Sequence, residues 1–254
     1  MKITIQQKIP RLISGFAILL WLTGCATTPA TDPRDPWEGW NRGVQSFNDS
    51  ADEYVIKPVA QGYQTVTPEF VDEGVTNFFN NIGDIRVTIN DFLQFKFSQG
   101  GDDFTRLLIN TTLGVGGLFD VATLLEFERH EEDFGQTLGA WGMPTGPYLV
   151  LPLLGPSSPR EALGLVGDAA TNPIFYIDFP ALTWGLTTLN FIDVRADLLS
   201  ASRIVDEAAL DRYEFLRNAY LQRREYLVHD GNPPIDDDEF LDDELDEDFD
   251  LDEE

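Results

Sequence analysis

The stretch Phe134–Glu161, FGQTLGAWGMPTGPYLVLPLLGPSSPRE, limits what the chain can fold into more than any other. Glycines stand at 135, 139, 142, 146 and 155, prolines at 144, 147, 152, 156 and 159, and the apolar segment Tyr148–Leu154 runs among them. Each proline removes an amide donor and clashes with the preceding turn, so the stretch is predicted not to be a helix. Two extended arms joined by a Pro144-Thr145-Gly146-Pro147 turn are expected instead. Helix-forming sequence flanks it on both sides, so a stiff, proline-flanked hairpin interrupts an otherwise helical chain.

The first segment reads as an address. Lys2, Lys8 and Arg11 precede an apolar run of ten residues, Ile13–Leu22. That is too short for a bilayer span, which needs about 20 apolar residues. It ends in Leu22-Thr23-Gly24-Cys25, which resembles the bacterial lipoprotein box. The resemblance implies cleavage after Gly24 and acylation of Cys25, with Ala26 after it implying sorting to the outer membrane. Two or more acyl chains hold a protein on a membrane where a single chain does not. Residues 1–24 are therefore read as signal peptide and 25–36, rich in Thr and Pro, as an extended tether.

Charge narrows the partners. With 17 Lys+Arg against 44 Asp+Glu the formal charge is −27. Nucleic acid needs a basic face and is not an expected partner. Residues 236–254 carry 14 of the acids and no base. The segment 230–254 is read as an acidic tail, disordered when free, with Leu241, Leu245 and Phe249 spaced to fold on a partner. A basic carrier steered by charge is one role for it and a solubilising tail the other.

Between these ends, residues 37–229 form one helical domain. Trp37, Trp40, Val44, Phe47, Ala51 and Tyr54 make a single helical stripe. It suits either a core or a water–lipid interface, and Asn41, Arg42, Gln45, Asn48 and Asp49 fall on the opposite face. Thr67-Pro68-Glu69 starts a second helix, and 85–97 is read as helix rather than strand. Asp102-Asp103 is expected to cap a helix to Leu113 with Phe104, Leu107 and Leu108 inward, ended by Gly114-Val115-Gly116-Gly117. A short helix over 118–127 and a solvated charged loop, Arg129–Asp133, follow. Ser158-Pro159-Arg160-Glu161 begins the next helix, and Pro180–Ser200 another. Arg203–Val228 is expected to be the longest helical run, with Ile204, Ala208, Tyr213, Leu216, Tyr220 and Leu227 inward and Arg212, Arg217, Arg223 and Arg224 outward.

No catalytic constellation stands out. The one cysteine, Cys25, leaves no disulfide and no thiol zinc site. His130 and His229 lack metal spacing. The glycines at 114, 116 and 117 miss the dinucleotide fingerprint, because its third glycine falls at Phe119. There is neither a P-loop nor a G-x-S-x-G elbow, and the sequence asks for no metal and no cofactor.

Asp35-Pro36-Trp37-Glu38-Gly39-Trp40-Asn41-Arg42, Phe104–Ala122, Phe134–Arg160 and Tyr213–Arg224, in that order behind a lipoprotein signal, resemble the MlaA (VacJ) family. The acidic tail departs from the family pattern. The resemblance implies a mainly α, ring-like single domain with one hairpin, lying in the periplasmic leaflet of the outer membrane. It implies a non-enzymatic conduit with an amphipathic channel, which passes mislocalised phospholipid to a soluble periplasmic carrier beside a trimeric porin. A structural lipoprotein that scaffolds porins and an envelope lipid hydrolase are the rival classes. On the conduit reading Gly142, Pro144, Gly146, Pro147, Tyr148, Pro152, Gly155 and Pro156 form the hairpin hinge. The arm Tyr148–Leu154 then faces acyl chains, and Trp37, Trp40, Val44 and Phe47 lie at the interface.

Overall fold

The computed structural model describes residues 32–234. The signal segment, Cys25 and residues 236–254 lie outside the described residues. Helix α1 (Glu38–Ala51) runs through a π turn, Asp52–Ile56, into α2 (Lys57–Val66). The wider turn has a local cause. Pro58 has no amide to offer the carbonyl four residues back, and Lys57 N donates instead to Asp52 O, five back. The helix expected over 37–54 therefore continues to Val66.

A single 25-residue helix, α3 (Glu69–Leu93), takes in the stretch whose type periodicity left ambiguous. Pro68 occupies its cap position without a side-chain bond, so Thr67 does not cap it. Helix α4 (Phe97–Thr112) starts five residues before the expected Asp102. It lies so close to α3 that a Cβ on Gly100 would sit 2.9 Å from Asp91 Cβ. The turn after it needs Gly114, where a Cβ would fall 2.2 Å from the Phe119 carbonyl oxygen. The predicted helix 118–127 shrinks to α5 (Val121–Leu124), because Asp120 caps it through Thr123 N only at that point.

The non-helical expectation for 134–161 fails at its beginning. Phe134–Ala140 is helix α6, capped by Asp133, since the prolines start only at 144. The hairpin itself is β1 (Leu149–Leu151) paired antiparallel with β2 (Gly155–Ser157), in register Leu149↔Ser157 and Leu151↔Gly155. Its turn is therefore Pro152-Leu153-Leu154, with Leu153 at φ 64° and Gly155 at φ 80°. Pro144–Pro147 is the connection leading into β1. As expected, Ser158 caps α7 (Pro159–Thr171) by accepting from Glu161 N at 3.3 Å. After a 3₁₀ turn (Pro173–Tyr176) come α8 (Pro180–Asp197), α9 (Leu199–Ala208) and α10 (Arg212–Val228). The single run predicted over 203–228 is thus two helices, because Asp211 caps α10 afresh through Tyr213 N and Glu214 N.

Contacts between elements close on themselves. The α1–α2 rod packs on α8, α8 on α3, α3 on α6 and α7, α6 on α10, α10 on β2, and β1 returns to α1. This circuit gives the helices a ring-like order. Its interior is not apolar. Among the described residues, buried polar and charged side chains outnumber buried apolar ones, and large apolar side chains are exposed in every helix from α1 to α10 except α6. In α4 the expected inward residues Phe104 and Leu108 are 46% and 48% exposed, while Asp103 and Arg106 are 0% and 1%. In α1, Val44 reaches the core and Trp40 packs against it, but Trp37, Phe47 and Tyr54 point out while Asn41 and Gln45 point in. In α9 and α10, Ile204 is exposed, whereas Arg217 and Arg224 are buried. The faces are inverted. A chain in water hides apolar area and exposes charge, so this exterior is built for apolar surroundings. No described helix is long and apolar enough to cross a membrane.

Candidate functional site

The hairpin is held against α1 by two asparagines. Asn41, fully buried, donates through Nδ2 to Tyr148 O at 3.0 Å and accepts from Val150 N at 2.8 Å. These are the bonds a neighbouring strand would make to β1. Two helical turns later, Asn48 Nδ2 donates to Leu151 O at 3.0 Å and its Oδ1 accepts from Leu153 N at 2.7 Å. A spacing of seven brings both amides to one helix face. The helix thereby completes the edge of a two-stranded sheet that alone would be marginal.

Beneath the clamp lies a charged knot. Asp35, fully buried, accepts from Asn41 Nδ2 at 2.7 Å, from the Tyr213 hydroxyl, and from Arg217 Nη1 at 3.5 Å. Burial and then the Asp35 carboxylate push the Tyr213 phenol up, which keeps it a neutral donor. Arg217 also pairs with Asp32 at 3.2 Å. A hydrogen bond from Arg34 holds Asp32 at about 2. The Tyr148 ring stands edge-on to Tyr213 and Tyr220, 6.0 Å from each.

On the far side of the hairpin, Arg224 grips Asp133 with two bonds, 2.6 and 3.0 Å, and also pairs with Glu161. Burial alone would raise Asp133, but the Arg224 guanidinium outweighs it and holds the carboxyl at about 2. Gly135 sits where a Cβ would fall 1.9 Å from Glu161 Oε2, so the ion pair requires glycine there. At the α3–α4 corner, Glu132 accepts from Lys96 at 2.8 Å and from Gln94 and Gln99. His130 meets the buried Asp103 at 2.8 Å, and Arg129 lies 3.5 Å from Asp84. Burial raises Asp84 to about 6 despite Arg129. The Arg129–Asp133 loop is thus solvated at Arg129 and Glu131, as expected, while Glu132 and Asp133 turn inward to Lys96 and Arg224. Among the described residues, no group of His, Cys, Asp or Glu is arranged to hold a metal ion.

Two clefts flank the hairpin. A larger one, about 640 Å³, opens among Pro36, Pro147, Arg160, Leu221 and His229. A smaller one, about 230 Å³, lies between the hairpin tip, α7 and α10.

The residues expected to form a hinge divide into two groups. Tyr148 is fully buried and Val150 is 1% exposed, packed with Val44 and Tyr213, so this part of the arm belongs to the core and not to acyl chains. Pro152, Leu153 and Leu154 form an exposed tip. Gly142, Pro144 and Gly146 lie exposed in the preceding connection, with Gly142 and Gly146 at φ 90° and 76°. Pro147, Gly155 and Pro156 are half-buried. Trp37, Trp40, Val44 and Phe47 share α1 or its cap, with Val44 turned in and Trp37 and Phe47 turned out. Sequence reasoning missed Asn41, Asn48, Asp35, Arg217 and Arg224. The seven-residue spacing of Asn41 and Asn48 was the available signal.

The MlaA lipoprotein family model matches residues 33–227. The intermembrane phospholipid transport system lipoprotein MlaA of Escherichia coli (strain K12) is 37% identical over 221 residues, covering 83% of this chain and 85% of that one. The protein of the same name from Haemophilus influenzae is 30% identical over 234 residues, covering 89% and 93%. A solved structure that addresses the structural basis for maintenance of bacterial outer membrane lipid asymmetry superposes with a TM-score of 0.68 at 33% identity. It covers 76% of this chain and 98% of that one. The family model spans the whole ring of helices, the hairpin and the clamp on α1, so the chain belongs to the MlaA lipoprotein family.

Proposed function

We propose that this protein is an outer-membrane lipoprotein of intermembrane phospholipid transport, which takes mislocalised phospholipid from the outer leaflet and passes it to a soluble periplasmic carrier. The inverted burial carries the reading: charged and amide side chains turned inward, large apolar side chains turned outward. Taking a charged headgroup into hydrocarbon without partners is costly. A ring with a polar lining removes that cost while acyl chains stay in apolar surroundings. The exposed apolar belt fits a domain seated in the periplasmic leaflet, held there by acylated Cys25 and standing beside a trimeric porin. Transport needs no covalent step. The exposed tip Pro152-Leu153-Leu154 is the part of the hairpin that gates the passage in this reading, held to α1 only where Asn48 accepts from the Leu153 amide. The acidic segment 236–254 suits a basic carrier, steering its approach. Lipid extraction from the purified full-length protein tests the reading. Bound phospholipid is expected, and a preparation free of it, with lysolipid or fatty acid released from added phospholipid, would replace the conduit with a hydrolase.

A further inference from the structure

The smaller cleft has a composition that the packing of the fold does not require. Its floor is the Arg224 guanidinium, already occupied by Asp133 and Glu161. Asp168, on α7, lines the same space and accepts only the Phe134 amide, at 2.9 Å. Among the described residues no cation lies within ion-pair distance of it, and Arg86 and Arg224 act on it only through space. At the rim stands Arg223, its side chain 62% exposed and paired with an equally exposed Glu131. The lip is apolar: Leu154 is 66% exposed and Leu165 45%.

The cleft thus offers a carboxylate without an ion-pair partner within, a solvent-exposed guanidinium at the edge, and an oily margin beyond. Its volume, about 230 Å³, is below the roughly 300–1,000 Å³ of sites that enclose a whole drug-sized ligand. It has room for a polar head and leaves long chains outside. Three carboxylates face two guanidinium groups across it, so the surplus charge is negative and favours a cation at depth.

We propose that this cleft seats the headgroup of a zwitterionic phospholipid bearing a primary ammonium, with the ammonium at Asp168, the phosphate at Arg223 and the chains leaving over Leu154 and Leu165. The proposal rests on the conduit reading and adds headgroup preference to it. An anionic lipid with a neutral polyol head would still meet Arg223 but would leave Asp168 without a counter-ion. The ammonium is the discriminating group because the phosphate is common to both lipids.

The test uses full-length protein equilibrated with detergent-solubilised lipid from vesicles of equal phosphatidylethanolamine and phosphatidylglycerol, repurified, and its bound lipid quantified by mass spectrometry. Wild type is expected to hold about fivefold more phosphatidylethanolamine than phosphatidylglycerol, the discrimination one partly exposed charge pair supplies. Asp168→Asn, which keeps an acceptor for the Phe134 amide, brings that ratio to the input value by lowering the bound phosphatidylethanolamine. Arg223→Gln lowers both lipids together. A wild-type ratio equal to the input overturns the headgroup seat while phospholipid binding stands, and no stable variant is needed to see it. Enrichment that survives Asp168→Asn also overturns it. Wild-type protein that holds neither lipid overturns the conduit reading along with it.

Discussion

Replacing Asn41 by alanine tests whether the amide clamp carries the fold. The side chain makes three bonds inside a fully buried site: to Asp35, to Tyr148 O and from Val150 N. Its removal strands the Val150 amide and one lone pair each on Tyr148 O and Asp35. Two neutral bonds at about 1 kcal/mol each and one to a carboxylate at about 2 give a loss of about 4 kcal/mol. For a domain of this size that lowers the melting temperature by roughly 10 °C. Asn48→Ala is the internal control. It makes the same two kinds of backbone bond where the strand turns into the exposed tip, and water replaces them at a cost of about 1 kcal/mol. Thermal unfolding of the full-length protein in non-ionic detergent, followed by far-ultraviolet circular dichroism, measures both. If Asn41→Ala costs no more than Asn48→Ala, the hairpin is held by apolar packing alone and the clamp is incidental.

Three further outcomes follow from the same geometry. Asp91 is pushed up to about 8 by burial and by the neighbouring Asp103 and Glu132. A carboxyl raised in the folded state loses stability as pH climbs from about 4 to about 8, so Asp91→Asn should raise the melting temperature more near pH 8.5 than near pH 5. An equal gain at both would refute this. Arg224→Met leaves Asp133 buried without a cation and Glu161 with Arg160 alone, and should cost about 3–5 kcal/mol. Because Asp133 sits at about 2, the wild type should also lose stability as pH falls from about 4 towards 2, and the variant should lack that loss. Pro152→Ala, at the exposed tip, should shift stability by no more than about 0.5 kcal/mol yet change phospholipid transfer to the carrier. Equal loss of both would reduce the tip to packing. Gly146→Val is the poorer probe, since φ 76° and a Cβ 3.3 Å from the Pro159 ring strain the backbone itself.

Where helices would form was legible, and which way they would face was not. A period of 3.6 reveals a stripe whatever solvent surrounds it, so Trp37–Tyr54 and the stretch after Thr67-Pro68-Glu69 read correctly as helix. Assigning the stripe to an interior presumes water outside. For Phe104 and Leu108 that presumption placed the wrong face inward, and Asp103, Arg106 and Asn110 hold the buried positions. The same assumption sent Arg217 and Arg224 to the surface. Their acidic partners Asp35, Asp133 and Glu161 lie far away in sequence, so no local pattern reveals the pairs. The hairpin was recognised but placed one turn early, because Pro-Thr-Gly-Pro is the stronger turn signal. Leu153, which takes a left-handed conformation without being glycine, gives none. Within the clamp, Asn41 and Asn48 looked like ordinary polar-face residues, since a side chain imitating a strand edge leaves no composition signal beyond its spacing.

Surface phospholipid in intact cells reports most directly on whether this chain removes phospholipid from the outer leaflet. Deleting the protein should raise the amount open to an impermeant amine-reactive label or to an outer-leaflet acyltransferase. Full-length protein should restore it, and a Cys25→Ala chain should not. Unchanged surface phospholipid on deletion, with porin assembly disturbed instead, would contradict the conduit and leave a scaffold.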